Sequence, residues 1–141
     1  MRRLGVEPAS VLATNGIFLE SKNVAALRPY GPIWGRHWGV HRKLLSIVGP
    51  EWIICLGAGK TDSAYALINQ KIQVVGAVEE VPGIGGPAAR MYRGLLAQGE
   101  EGGDREVSVL AVPHPSRWDP VEVADRMLTK LGWPAQDSGD P

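Results

Sequence analysis

Ser108–Trp118 reads SVLAVPHPSRW, an apolar run that ends in a histidine between two prolines. An uninterrupted apolar run of this length indicates a buried strand. In open α/β sheets, ligands bind just past the carboxyl ends of such strands. Pro113 and Pro115 restrict the backbone on both sides of His114. The stretch therefore predicts a strand that presents His114 at a functional edge of a parallel sheet.

Two further stretches have a related form. Ser10–Gly16 reads SVLATNG and predicts a strand over residues 10–15 that ends in the polar pair Thr14 and Asn15. Val40–Gly57 reads VHRKLLSIVGPEWIICLG and predicts the end of a helix, a Gly-Pro stop and a buried strand. Strands that alternate with helices are typical of a parallel sheet with right-handed crossovers.

The whole pattern predicts an α/β fold, a three-layer α/β/α sandwich with a mostly parallel central sheet. Residues 1–133 are expected to form one domain, and residues 134–141 a flexible tail rich in Asp, Gly and Pro. Thr61 or Asp62 is expected to cap the second helix. The predicted strands span 10–15, 52–56, 72–75 and 107–112, and the predicted helices span 36–48, 61–69, 87–98 and 119–131.

Charge is balanced over the chain but unevenly distributed along it. The 15 Lys and Arg and 15 Asp and Glu residues give a formal net charge of zero, so bulk charge does not indicate a nucleic-acid binder. The first third of the chain contains many Lys, Arg and His residues. This pattern is equally compatible with a local basic face and with ordinary solvated charges. His37 and His41 are spaced i, i+4, but neighbouring Arg36, Arg42 and Lys43 favour a basic helical face over a metal site.

The single cysteine, Cys55, lies within the predicted strand 52–56. One cysteine excludes an internal disulfide and a cluster ligated by several cysteines of this chain, so Cys55 is expected in the core. No segment approaches the ~20 apolar residues of a membrane span, and the N-terminus has no apolar signal-peptide region. We therefore expect a cytoplasmic protein with no membrane partner, no metal and no cofactor.

The Thr-Asn strand end, the helix–turn–strand of Val40–Gly57 and the His-Pro-Ser strand end resemble the uracil-DNA glycosylase superfamily. The resemblance covers residues 10–120, with the motifs in the family's order. It implies a protein that excises or recognises a deaminated base in DNA by hydrolysis of the N-glycosidic bond. It assigns catalysis to His114, which would donate to the negatively charged departing base, and to Asn15, whose amide would read the base edge.

The resemblance also implies DNA contacts around this pair. Ser116 matches a family serine that contacts a phosphate. Arg117 and Trp118 stand where the family's loop fills the space that the flipped base leaves, although Trp118 suits a core position equally well. Thr14 precedes the base-reading asparagine. Phe18, Trp34 and Trp38 are the candidates to replace the family's base-stacking aromatic, although core packing is the default role of all three.

The family's water-positioning motif has no counterpart in the resemblance. Gly5–Pro8 has the right form, GVEP, but it lies too close to Asn15, because a long stretch separates the two motifs in the family. This absence favours a non-catalytic relative that binds DNA, a nucleotide or a protein. A partner chain that completes the site would restore the enzyme.

Gly57–Thr61 reads GAGKT and lies between a predicted strand and a predicted helix, where phosphate-binding loops occur. The full motif requires a glycine at position 54, which is Ile54, so a nucleotide hydrolase is disfavoured. Gly57, Gly59 and Lys60 remain candidates for binding a phosphate oxygen, including one on DNA.

Overall fold

The computed structural model describes residues 11–14, 24–82, 88–97, 103–114 and 129. Within residues 11–14, 24–82, 88–97 and 103–114 the chain forms two α-helices, a short 3-10 helix and four strands. In chain order the elements are the 3-10 helix Val24–Leu27, α1 Tyr30–Val48, β1 Trp52–Leu56, α2 Ala64–Asn69, β2 Gln73–Val81, β3 Ala89–Leu96 and β4 Arg105–Val112.

The four strands form one mixed sheet in the order β1-β4-β3-β2. β1 and β4 are parallel, whereas β3 runs antiparallel to both β4 and β2. The predicted three-layer α/β/α sandwich with a mostly parallel sheet is therefore wrong. The described part of the chain is a small α+β fold whose sheet is mostly antiparallel.

β3 accounts for most of this difference. Residues 87–98 are rich in Ala, Arg, Met and Leu, which favour a helix locally, yet residues 89–96 form a strand. The strand is hydrogen-bonded on both sides, by β2 and by β4. Its even-numbered residues are all buried, which is the period of a strand. Tertiary pairing thus overrides local helix propensity here.

α1 begins six residues earlier than the apolar spacing predicts, at Tyr30 instead of residue 36. Pro32 does not prevent this, because the first amide groups of a helix have no intrahelical acceptor. Tyr30 and Trp34 are buried in the core, so the early turn is stabilised by packing. Gly49 in the left-handed conformation ends the helix where the sequence predicts a stop.

α2 and β2 also differ at their boundaries from the prediction. α2 is capped by Ser63, not by Thr61 or Asp62, and the Ser63 hydroxyl accepts a hydrogen bond from the Ala66 amide at 3.1 Å. β2 extends to Val81, well past the predicted end at residue 75. β1 matches its prediction, and β4 begins two residues before its predicted start.

Other predicted elements fall at the margins of the described ranges. Residues 11–14 form no strand, so that part of the strand predicted over 10–15 is wrong. Of the helix predicted over 119–131, Thr129 is described and is helical. The rest of that helix and the tail 134–141 lie outside the described residues.

The main core lies between both helices and one face of the sheet. Trp34 of α1 and Tyr65 of α2 pack in one cluster with Cys55, Tyr92 and Val109 of the strands. Cys55 is buried as predicted, and burial raises the pKa of its thiol to about 12.

The predicted basic face of α1 includes one wrong residue. His41 is buried, with its ring 4.7 Å from that of Trp34, so it belongs to the core. Arg36, Arg42 and Lys43 are exposed as expected. Within the described ranges, no helix is long and apolar enough to cross a membrane.

Tyr92→Phe is expected to raise the free energy of unfolding by about 1 kcal/mol, because the buried Tyr92 hydroxyl has no hydrogen-bond partner among the described contacts. Urea unfolding at constant m measures the change. Tyr30→Phe is the matched control, since the Tyr30 hydroxyl interacts favourably with the Arg28 guanidinium and raises the pKa of Arg28, so its removal should not stabilise the fold. If Tyr92→Phe had a lower free energy of unfolding than the wild type, the Tyr92 hydroxyl would be hydrogen-bonded in the folded protein and the prediction would be wrong.

Candidate functional site

The carboxyl ends of β1 and β4 lie side by side. Leu56 is opposite Val112 in the parallel ladder, and the Gly57 amide donates to the Val112 carbonyl at 2.8 Å. The loop 57–63 and the exposed His114 therefore leave the sheet at the same edge. We call this region, made of loop 57–63, Pro113 and His114, the carboxyl edge.

The antiparallel strands bring charged residues to the same edge. β3 begins where β4 ends, with Arg90 opposite Ala111. β2 ends beside the start of β3, with Glu80 opposite Arg90. Neither Arg90 nor Glu80 was a candidate from the sequence, because residues 87–98 are predicted as a helix and the pairing is non-local.

Arg90 is a buried cation, with its side chain 7% exposed. Its Nε donates to Oε1 of Glu80 at 2.9 Å, and its Nη1 donates to the carbonyls of Ala58 and Ala88. The Tyr65 ring centroid lies 5.4 Å from the guanidinium carbon, within cation–π range. The carboxylate, the carbonyls and the ring together compensate for the water that the guanidinium has lost.

Lys60 shares the same carboxylate. Its Nζ lies 3.4 Å from Oε1 of Glu80, while 72% of its side chain is exposed. The hydrogen bond from Arg90, with smaller contributions from the charges of Arg90 and Lys60, holds the pKa of Glu80 below its usual value of 4.5. Two cations thus meet one ionised carboxylate, which leaves the cluster one positive charge.

The loop after β1 is fixed through three successive carbonyls. The Gly57 carbonyl accepts from the Tyr65 amide at 3.1 Å, and the Gly59 carbonyl accepts from the Ser63 hydroxyl at 2.5 Å. The Ala58 carbonyl between them accepts from Arg90. Gly57 has a φ of 131°, which L side chains rarely adopt. The loop is therefore a defined structure that requires glycine at its first position.

Four of the residues proposed from the sequence lie at the carboxyl edge: Gly57, Gly59, Lys60 and His114. Thr14 is described and exposed, but it follows no strand. The other proposed residues, namely Asn15, Phe18, Ser116, Arg117 and Trp118, lie outside the described residues. The expected convergence of the Thr-Asn and His-Pro-Ser ends therefore stays a prediction.

In the part of the chain that the structure describes, no three His, Cys, Asp or Glu side chains come close enough together to hold a metal ion. Comparison with known proteins adds no relative: no family model, no curated protein and no solved structure matches the chain. The carboxyl edge itself is therefore the basis for inferring a function.

Glu80→Gln is expected to remove a part of the acid sensitivity of folding. Because the folded-state pKa of Glu80 is lowered, its ionised form stabilises the fold at pH values above 4.5. This contribution is lost as the pH falls through the lower folded-state pKa. Urea unfolding at a series of pH values should show the stability of wild type and Glu80→Gln converging as the pH falls. A gap that does not narrow on acidification would contradict the prediction.

Proposed function

We propose that the carboxyl edge binds DNA at a deaminated base and that His114 stabilises the charge that develops on this base during excision. The observation that supports the proposal is the parallel pairing of β1 with β4. This pairing makes neighbours of two motifs in the resemblance, the strand that ends in Leu-Gly and the strand that leads to His-Pro-Ser. The carboxyl ends of these two parallel strands open at the carboxyl edge, where loop 57–63 and His114 leave the sheet.

The chemistry is hydrolysis of the N-glycosidic bond. The bond between C1′ of the sugar and the base nitrogen breaks, and the base leaves with the electron pair. The imidazole N–H of His114 donates to the base oxygen on which negative charge develops. Water forms the new bond to C1′, and its proton passes to solvent or to the departed base. His114 is exposed, so a base at this edge can reach it.

Lys60 and its loop supply the contact to the DNA backbone in this proposal. The cluster of Lys60, Glu80 and Arg90 carries one positive charge, and Lys60 is its exposed cation. Phosphate contacts of this kind position a nucleic acid without reading its sequence. The base contact would then come from His114 and, by the resemblance, from Asn15.

A second candidate function is DNA binding without turnover. Glu80 is a carboxylate at the carboxyl edge, but Arg90 and Lys60 both engage it and its pKa is lowered. A carboxylate with a lowered pKa is a weak general base for activating water. This observation favours DNA binding without base excision, unless a group other than Glu80 activates the water.

His114→Ala is expected to slow base excision by about a hundredfold to a thousandfold, the cost of losing one donor to a developing oxyanion. The substrates are single- and double-stranded oligonucleotides that carry uracil, hypoxanthine or xanthine. Alkali converts abasic sites to strand breaks, which are quantified. The affinity of His114→Ala for DNA should stay close to that of the wild type. If His114→Ala also lowered the free energy of unfolding or the DNA affinity enough to account for the slower excision, this result would contradict a catalytic role.

Lys60→Ala is expected to raise the Kd for the same oligonucleotides and to flatten its dependence on salt, because a phosphate contact is lost. Lys71→Ala is the matched control, since Lys71 follows α2 at the end remote from the loop. Binding by the folded wild type without strand breaks would select the second candidate. No binding at all would contradict both candidates.

A further inference from the structure

We propose that Arg90 is the positioning residue of the carboxyl edge, which holds the Gly57–Lys60 loop in its DNA-binding form before any DNA arrives. The inference rests on the proposed function for the identity of the ligand. Arg90 does not touch the substrate in this proposal. It acts through the loop.

The Arg90 side chain extends past the neighbouring strand β4. Arg90 belongs to β3, yet its guanidinium reaches Ala58, which follows β1 on the far side of β4. Its direct partner on the intervening strand β4 is Ala111, which is fully buried. Paired residues of an antiparallel ladder project to the same face, so the small Ala111 side chain leaves room for this crossing.

Contacts from two other elements and from the residue just before β3 fix the guanidinium at its destination. Glu80 of β2 accepts from Nε, the Ala88 carbonyl accepts from Nη1 at 3.3 Å, and the Tyr65 ring of α2 lies against the guanidinium. A planar guanidinium with several partners has little freedom to reorient. The donor that faces Ala58 is therefore held in place by the sheet and by α2.

The bond to Ala58 sets the direction of the next amide. The carbonyl of Ala58 points toward Arg90, and the peptide that follows is trans. The C=O and N–H of a trans peptide point in opposite directions, so the Gly59 N–H points away from the guanidinium. Arg90 thereby orients a hydrogen-bond donor of the loop without exposing its own charge. A preformed donor binds an anion at a lower entropic cost than one that must first be ordered.

The decisive variant is Arg90→Met, with Arg93→Met as its matched control. Arg93 lies on the same strand, but its side chain is 75% exposed and its Nη1 is 3.5 Å from the Glu106 carboxylate. Hydrogen exchange is followed by NMR without DNA at two amides that are bonded to the loop: Tyr65, which donates to the Gly57 carbonyl, and Ala66, which donates to the Ser63 hydroxyl. Arg90→Met should accelerate this exchange by about tenfold or more, the value of a lost charged hydrogen bond. Amides at the centre of β4 should exchange as in the wild type.

The kinetic consequence separates positioning from a general loss of structure. Arg90→Met should raise the KM or Kd for DNA by about tenfold while kcat falls much less, because His114 is untouched. Arg90→Lys keeps the charge but not the fork of donors, so it should restore only part of the affinity. Arg93→Met should leave the exchange rates, KM and kcat unchanged.

Glu80→Gln covers the case in which Arg90→Met does not fold. It removes the charge opposite Arg90 at a half-exposed position and should accelerate Tyr65 exchange to a smaller extent. Unchanged exchange at Tyr65 and Ala66 in folded Arg90→Met, or in Glu80→Gln where Arg90→Met is unfolded, would overturn the inference. Faster exchange in a protein that binds no DNA would retain the loop-positioning role and refute the DNA-binding function.

Discussion

The buried guanidinium of Arg90 is the interaction on which the carboxyl edge depends. A cation removed from water is costly unless charge, hydrogen bonds and ring contacts replace its hydration. Glu80, the carbonyls of Ala58 and Ala88, and the Tyr65 ring supply that replacement from four different segments. Because the cation stays buried only while these partners remain in place, it couples the loop after β1 to β2, β3 and α2.

This coupling follows from the mixed topology of the sheet. β2 and β3 stand between β1 and β4 in the chain, but in the sheet they lie together on the far side of β4. Since β3 runs antiparallel to β4, it begins at the edge where β4 ends. A wholly parallel sheet would have placed the start of β3 at the opposite edge. The antiparallel pair thus adds an ionised cluster to an edge that β1 and β4 alone would leave with only their loops.

The sequence predicted the elements whose signals are local. β1 and the end of β4 are uninterrupted apolar runs, and the second half of α1 has apolar residues at helical spacing, although Val40 and Val48 of that set are exposed. β3 escaped prediction because its residues favour a helix in isolation and become a strand only between two partners. The start of α1 escaped for a related reason, since Pro32 and the nearby glycines suggest a loop until Tyr30 and Trp34 are buried.

The residues of the candidate site also differ in whether a local sequence signal could identify them. The rule that ligands bind past strand ends pointed to His114, and the glycine-rich GAGKT pattern pointed to the Gly57–Lys60 loop. The parallel pairing of β1 with β4 brings them to one edge. Arg90 and Glu80 could not be found in this way. Their pairing depends on the register of β2 with β3, which shifts between Val75 and Glu79. Without that irregularity, β2 would place another residue opposite Arg90.

The two kinds of residue at the carboxyl edge also have different roles in the proposed function. His114 is exposed and belongs to the reaction in the proposed function, whereas Arg90 is buried and acts on the backbone of the loop. A loop held by buried charge does not need the ligand to order it, so binding and chemistry can be lost independently. A relative that lacked the means to activate water would therefore keep the same preformed edge. In this fold, DNA recognition without turnover would require no change in the architecture of the carboxyl edge.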